Sequence, residues 1–584
     1  MTKITLKEFM SELNTRLEKF TYEELKEIII SRGMDLPPHK RQEYLDQLIL
    51  PKKSENKNIF RKPTLKDGDS LLRDIQAFGK KAANYEYTTG WGWDDRIREE
   101  RAWGDDRWVG EIDSLFERIN DFYEASEYGS ARKAYKELFE IYLIGSEERH
   151  FSGYNYDEMI STDLEETALK YLRCVYLTER SLSRPEALLG AIKNLSYLSS
   201  SLNIHGMIHV SLEDLPELDQ FGKQWIDYLG KLKGDQIITD LLKEAVRLFE
   251  GIKGLKELAI EKGHQYPGSF VDWLDSLKKE KNYKEMIRVA SMGLEKLSDR
   301  LAIRARIADY LYEAAKQLKE EKLIEKSLKE ALYASPSLSR LFNLLDHSKS
   351  LGQRIEFLNG ALTRFEQIKK RKNKSARPSW DFKMSSDLLE NYLPKNLEMY
   401  GYLLKGDYSK VVSLMSPSVS LGWSSGDIPN AFAVPFFLYA RWNHDESLTA
   451  NMDDLWKETA DISSHAYDNS EEHNASVGLA QRFRTYFENL LREFPILGKE
   501  LDEYFSIAQK VAFKRVDDIV SEKHRKSYWK AAQLLFAIAE VYWSLGEEKK
   551  GQNLINRFKE KYNRHSAFKA ELQSAAKKSK LFSV

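Results

Sequence analysis

Between Tyr528 and Asn563 the chain reads YWKAAQLLFAIAEVYWSLGEEKKGQNLINRFKEKYN, with apolar residues at helical spacing on both sides of Gly546. That spacing predicts two helices, each with one apolar stripe, joined by a turn at the glycine. Related pairs of contact positions recur upstream. Phe122 sits on a first helix, with Ala131, Tyr135 and Leu138 on the second; Met286, Ala290 and Gly293 lie on another second helix, and Ile324, Leu328, Ala331 and Pro336 on the next. In the final pair the corresponding positions are Ala539 and Tyr542, then Gly551, Ile555 and Phe558. Small residues at these offsets let paired helices approach closely, and the aromatic residues fill the groove beside them.

Within a unit of about 34 residues, these offsets resemble those of tetratricopeptide-like repeats. The first-helix Trp-Leu-Gly-Tyr string is nowhere intact and the spacing between units is irregular, so the repeat is degenerate. The expected fold is all-α: an α-solenoid of helix-turn-helix, TPR-like repeats with a small N-terminal helical domain. Stacked helix pairs build a long groove with many independently variable positions, which suits recognition of a protein or peptide partner.

At the N-terminus, Thr21 is the expected cap of YEELKEIIISRG, Gly33 its end, and Pro37-Pro38 the opening of HKRQEYLDQLIL. Leu25, Ile29, Gly33 and Lys40 fall where SAP-type helix-bend-helix units place two apolar residues, a glycine and a base. Pro38 stands where that family has glycine, and Tyr44, Leu45 and Leu48 are shifted. The resemblance implies DNA contact, here through Lys40 and Arg41. The stretch KKSENKNIFRKPTLK, residues 52–66, holds six Lys or Arg against the single acid Glu55, and adds Lys52, Lys53, Arg61 and Lys62 to such a surface. The expected organisation is a SAP-like unit over 1–50, a basic linker over 51–89, a solenoid over 90–415, a flexible Ser/Gly/Pro-rich loop over 416–430 (SPSVSLGWSSGDIPN) and a C-terminal helical repeat module over 431–584.

Charge changes the picture only locally. With 90 Lys plus Arg against 91 Asp plus Glu, the net charge of −1 provides no global attraction for nucleic acid or an anionic membrane. Basic clusters remain. Lys369, Lys370, Arg371 and Lys372 open the loop KKRKNKSARP, and Arg557, Lys559, Lys561, Arg564 and Lys569 interleave with Tyr562 and Phe568 near the C-terminus. The 584-residue length exceeds what one core usually supports, and 30 Gly and 14 Pro are few for a turn-rich β fold. Cys174, the sole cysteine, lies in the helical pattern YLRCVYL as a small buried hydrophobe. With no signal-like or membrane-spanning apolar run, a soluble cytoplasmic protein is expected.

The densest unusual chemistry is TGWGWDDRIREERAWGDDRW, residues 89–108. Its acid pairs offer oxygen ligands for a cation, and Trp91, Trp93 and Trp103 with Asp94 and Asp95 make a ligand or partner surface. The alternative is structural: Asp105 and Asp106 cap a helix from Trp108, the acids pair with Arg96, Arg98, Arg101 and Arg107, and the tryptophans seal the first layer of the solenoid. His205 and His209 have helical spacing but lack the Glu of a His-Glu-x-x-His motif, and Gly206 with β-branched neighbours argues against a stable helix there. His150, near Asp157 and Asp163, completes no ligand set. No nucleophile elbow, Cys-His context or phosphate loop is present, so no catalytic residue, cofactor or metal is assigned. The function expected is a non-enzymatic scaffold or adaptor for protein-protein interaction. A second reading is a nucleic-acid-associated protein docking through the SAP-like unit and basic segments. A third is a scaffold cut within 416–430, its layout similar to helical substrate proteins of CRISPR-associated caspase-like proteases in defence systems.

Overall fold

The computed structural model describes residues 5–34, 45, 65–198, 202–232, 235–372, 386–416, 418, 421–423, 428–444, 447–465, 475–579 and 581. Among these residues the chain is predominantly helical, with solenoid-like stacking of successive helices and a single pair of strands. It divides into two compact units, Met1–Leu255 and Lys256–Val584. No described helix is long and apolar enough to cross a membrane.

The first unit contains α1 (Leu6–Leu17), α2 (Tyr22–Met34), α3 (Leu65–Ala83), β1 (Thr88–Asp94), β2 (Glu99–Gly104), α4 (Arg107–Glu124), α5 (Tyr128–Glu147), α6 (Tyr156–Met159), α7 (Leu164–Thr178), α8 (Arg184–Leu195), α9 (Ile204–His209), α10 (Leu218–Lys231), α11 (Gln236–Phe249) and the start of α12 (Gly251–Lys262). Each longer helix from α4 onward packs on the next long helix: α4 on α5, α5 on α7, α7 on α8, α8 on α10 and α10 on α11. The buried contact positions Phe122, Ala131, Tyr135 and Leu138 lie in the first of these pairs. Residues 65–83, within the stretch read as basic linker, form α3. It packs on α4 and α5 because Leu71, Ile75, Phe78 and Ala82 recur at helical spacing and are buried, with Lys80 and Lys81 on other faces.

At the N-terminus, Thr5 and Thr21 each build a capping box. Glu8 N–H donates to Thr5 Oγ1 at 3.4 Å and Glu24 N–H to Thr21 Oγ1 at 3.3 Å, while each glutamate accepts from the threonine N–H. The helix capped by Thr21 runs one residue past Gly33. Lys40, Arg41, Lys52, Lys53, Arg61, Lys62 and nearly all of the second SAP-like helix lie outside the described residues.

The second unit continues with the rest of α12, then α13 (Gly268–Lys279), α14 (Tyr283–Lys296), α15 (Arg304–Leu318), α16 (Glu321–Ala334), α17 (Leu338–Asp346), α18 (Leu351–Lys372), α19 (Leu397–Leu404), α20 (Tyr408–Leu414), α21 (Pro429–Arg441), α22 (Ala450–His465), α23 (Ala475–Glu493), α24 (Gly498–Ser521), α25 (Tyr528–Ser544), α26 (Glu548–Lys561) and α27 (Ser566–Ser579). Sequential packing again dominates from α13 to α18, and Met286, Ala290, Gly293 and Ala331 are buried where close approach was expected. One apolar core then runs from Leu332 to Ala576, across the 416–430 segment. The described part of that segment is tied down. Ser416 N–H donates to Asn430 Oδ1 at 3.0 Å, Asn430 Nδ2 donates to Ser416 O at 2.6 Å, and the buried Trp423 ring lies 4.0 Å from the Arg515 guanidinium.

A recurring arginine links consecutive helices in both units. Arg184 opens α8 and its Nε–H donates to Tyr176 O (3.1 Å) and Glu179 O (3.3 Å) at the end of α7, while Nη1 pairs with Glu217 at 2.7 Å. Arg304 opens α15 and Nη1 donates to the equivalent carbonyls of α14, Leu294 and Leu297 (2.7 Å to the latter), while Nη2 pairs with Glu330 of α16 at 2.6 Å. In each case the carbonyls are those two residues before the helix end and at its C-cap. The last carbonyls of a helix lack intrahelical donors, and a buried guanidinium satisfies them.

Arg364 repeats part of this device. Its Nε–H donates to Tyr333 O near the end of α16 (3.2 Å), and its Nη1 pairs with Asp299 at 2.6 Å. The bond from Arg364, with help from Arg371, pulls the Asp299 carboxyl from its ordinary 3.8 down to about 2. A depressed folded-state pKa contributes stability above the unfolded value and loses it as pH falls through the folded one. Asp299→Asn is therefore expected to remove part of the stability loss between about pH 4 and pH 2. Urea unfolding at a series of pH values checks this; identical acid profiles for the variant and wild type would refute it.

Candidate partner surface: a tryptophan-bearing hairpin

The strands β1 and β2 pair antiparallel, with Trp91 opposite Ala102, Gly92 opposite Arg101, Trp93 opposite Glu100 and Asp94 opposite Glu99. The register shifts between Thr88 and Gly90, and Gly90 takes φ +127°, a conformation open to glycine. Because side chains alternate along a strand, Trp91 and Trp93 share one face with Ala102 and Glu100. Arg101 and Trp103 occupy the other.

An aromatic cluster holds the hairpin in place. Phe151 stacks on Trp108 with ring centroids 4.6 Å apart and also meets Phe78, Tyr87, Tyr142 and Tyr156. Trp108 Nε1–H donates to Ser152 O at 3.2 Å. Next to it, Gly153 and Ala102 exchange backbone bonds of 2.7 and 3.2 Å, so the loop after α5 extends the sheet beside β2. Gly145 permits this loop to close, since a Cβ there would come within 2.3 Å of the Phe151 ring.

On the outer face Trp91 is 39% exposed and Trp93 58%. Both indoles are oriented: Trp91 Nε1–H donates to Glu100 at 2.9 Å, and Trp93 Nε1–H to Asp95 at 3.0 Å. The Arg149 guanidinium covers the Trp91 ring at 3.5 Å. Trp93 carries no cation and no ring partner among the described residues, and the two carboxylates that orient the indoles, Asp95 and Glu100, stand beside it. A π-face with adjacent carboxylates favours a guanidinium or ammonium group. On the opposite face, Arg101 lies 3.8 Å over Trp103 and 3.3 Å from the buried Asp94, which also pairs with Arg96 at 3.3 Å. The hydrogen bonds from Arg96 hold the Asp94 carboxyl below its ordinary range.

Several expectations change here. Asp94 is enclosed by arginines, so it contributes to hairpin structure while Asp95 remains at the surface. The tryptophans do not all seal a helical layer: Trp108 is fully buried, Trp103 is half-buried, and strand alternation turns Trp91 and Trp93 outward. Asp106 occupies the N-cap of α4 without a side-chain bond to the helix; it accepts from Ser152 Oγ at 3.0 Å instead, and Asp105 pairs with Arg107 at 2.9 Å. The period-two string Gly-Trp-Gly-Trp, followed by Asp-Asp, is the sequence signal for this hairpin.

His205 and His209 do lie on a helix, α9, despite the unfavourable neighbours. Asn203 caps it by accepting from Gly206 N–H at 2.7 Å, and Glu244 accepts from Ile204 N–H at 3.3 Å and His205 N–H at 2.6 Å. The two imidazoles stack at 4.1 Å. His150 is buried, 3.1 Å from Glu148. Among the described residues no three or more metal-ligating side chains converge. Burial pushes the Cys174 thiol up to about 12.

Lys369 to Lys372, expected to open a loop, instead form the last turn of α18, where Lys369 pairs with Glu398 (2.8 Å), Lys370 with Glu366 one turn back (2.7 Å) and Arg371 with Asp299 (3.0 Å); the Lys372 side chain lies outside the described residues. A cleft of about 250 Å³ between α15, α16 and α17 is lined by Asp309, Tyr312, Ser327, Arg340, Asn343 and Asp346. Its charges are matched, with Arg340 gripping both Asp309 oxygens at 2.7 and 2.8 Å and Arg482 holding Asp346 at 2.6 Å. No family model matches the chain, and no curated protein matches it.

Proposed function

We propose that the protein is a non-enzymatic helical scaffold of the tetratricopeptide-like kind, and that it recruits a protein partner through the hairpin bearing Trp91 and Trp93. The observation that carries this reading is the pair of exposed indoles, both already fixed by hydrogen bonds to Glu100 and Asp95. Exposed aromatics that are rigid before binding lose little conformational entropy on docking, and tryptophan is enriched among the residues that dominate interface energetics. The complementary partner segment carries an arginine or lysine to cover Trp93, as Arg149 covers Trp91.

The test is capture of partners from the protein's own cell extract with wild type and with Trp93→Ala, under nuclease and high salt. A defined partner is expected to weaken by about thirtyfold or more with the variant, as for a hot-spot truncation of 2 kcal/mol. Equal recovery by wild type and by the Trp91→Ala/Trp93→Ala double variant would remove the hairpin from the proposal.

A further inference from the structure

A second surface, on the C-terminal helices, is independent of the hairpin. Lys523, Arg525 and Lys526 lie on the turn between α24 and α25, and Arg564 and Lys569 on the turn into α27 and its first residues. The fold brings these turns to one edge: the Tyr528 ring meets Phe568 edge-on at 5.7 Å, and Phe568 meets Tyr562 at 5.8 Å. Lys523, Arg525, Lys526 and Arg564 are exposed, and Lys569 is half-buried. None of the five forms an ion pair among the described residues. Trp529, on the first turn, is 41% exposed, with Lys530 Nζ 5.4 Å from its ring.

Two of the neighbouring acids are already held by lysines: Asp517 accepts from Lys561 at 2.8 Å and from Tyr562 at 2.7 Å, and Asp518 pairs with Lys514. The third, Glu522, lies 3.0 Å from His524 and leaves one negative charge against the five cations. The contrast with Lys369, Lys370 and Arg371, each held by a carboxylate, separates a charged surface from a merely basic sequence. Five unpaired cations on one edge attract a polyanion through counterion release, and an exposed indole offers a stacking face to an unpaired base. A duplex would leave that indole unused, and a purely acidic peptide such as polyglutamate presents no ring to it.

We propose that this edge binds single-stranded nucleic acid, with Trp529 stacking on a base and Lys523, Arg525, Lys526, Arg564 and Lys569 contacting successive phosphates. This goes beyond the scaffold reading and stands apart from it, since no residue of the hairpin takes part.

The experiment is fluorescence anisotropy of a labelled oligothymidylate with the full-length protein across a salt titration. If the five cations each meet a phosphate, the slope of log K against log salt is expected to be about −3 to −4. Lys526→Glu/Arg564→Glu should weaken binding at least tenfold and flatten the slope. Trp529→Ala should weaken it by about tenfold, with less effect on a duplex of the same length. Lys369→Glu/Lys370→Glu and Trp93→Ala should leave it unchanged, and melting curves establish that the variants fold. The proposal is overturned if wild type does not bind the oligonucleotide, or if the charge and Trp529 variants bind it as wild type does. It is equally overturned if only polyglutamate or anionic vesicles bind this edge.

Discussion

Glu540→Ala should lower the free energy of unfolding by about 4 kcal/mol, because it strands a group of buried donors together. Glu540 sits on α25 with no solvent exposure, and its carboxylate accepts from Thr449 Oγ1 (2.6 Å), Met452 N–H (2.8 Å), Asn451 N–H (3.3 Å) and Asn451 Nδ2 (2.8 Å). These groups form the N-terminal end of α22, where backbone N–H groups have no intrahelical acceptor and a negative charge is favourable. A distant helix thus supplies the cap that Thr449, Ala450 and Asn451 do not provide themselves. Alanine leaves several donors buried and unsatisfied, whereas Glu540→Gln keeps one acceptor oxygen and should cost roughly half as much. Urea unfolding followed by circular dichroism measures both, and hydrogen exchange should show the α22 N-terminus opening first. A loss below about 1 kcal/mol for the alanine variant would mean that water or rearranged side chains replace the carboxylate.

Phe151→Ala is expected to cost about 3–5 kcal/mol, the range for removing a fully buried aromatic ring. It should also weaken partner recruitment, although Phe151 is itself inaccessible. Its ring is the shared contact of Trp108, Phe78 and Tyr142, and the two residues that follow it make the Trp108 and Ala102 backbone contacts. Without that ring the loop that holds β2 loses its anchor. Tryptophan emission should shift to the red together with a loss of partner affinity comparable to that of Trp93→Ala. Unchanged affinity in a destabilised but folded variant would show that the hairpin keeps its geometry without the aromatic cluster.

The helical plan was largely legible because amphipathic spacing is a local property. The pair predicted around Gly546 is α25 and α26, and Ala131, Ala290, Gly293, Ala331, Ala539 and Gly551 are all buried where close helix contact was expected. What escaped was set by partners remote in sequence. The strand alternation of Gly-Trp-Gly-Trp has half its positions occupied by glycine, so no apolar count marks it, and the partner strand β2 is held through Ala102 by Gly153, in a loop beyond two helices. Helix α9 forms because Glu244 accepts the first N–H groups, a contact that outweighs poor local propensity. The tryptophan-rich segment stands out by composition, but composition could not separate the outward Trp91 and Trp93 from Trp108, which the fold buries. Likewise, the charge run at 369 and the turn at 523 look alike as sequence; only the positions of Glu398, Glu366 and Asp299 distinguish them.

The arginines at 184 and 304 bear on how such a stack fails under load. Each guanidinium holds the end of the helix before it and a carboxylate carried by, or leading into, the helix after it. Stacking energy is therefore shared across three successive long helices, beyond the single pair of a nearest-neighbour array. Pulled from one end, such a stretch should yield in steps larger than one hairpin, each step ending where a guanidinium clasp gives way.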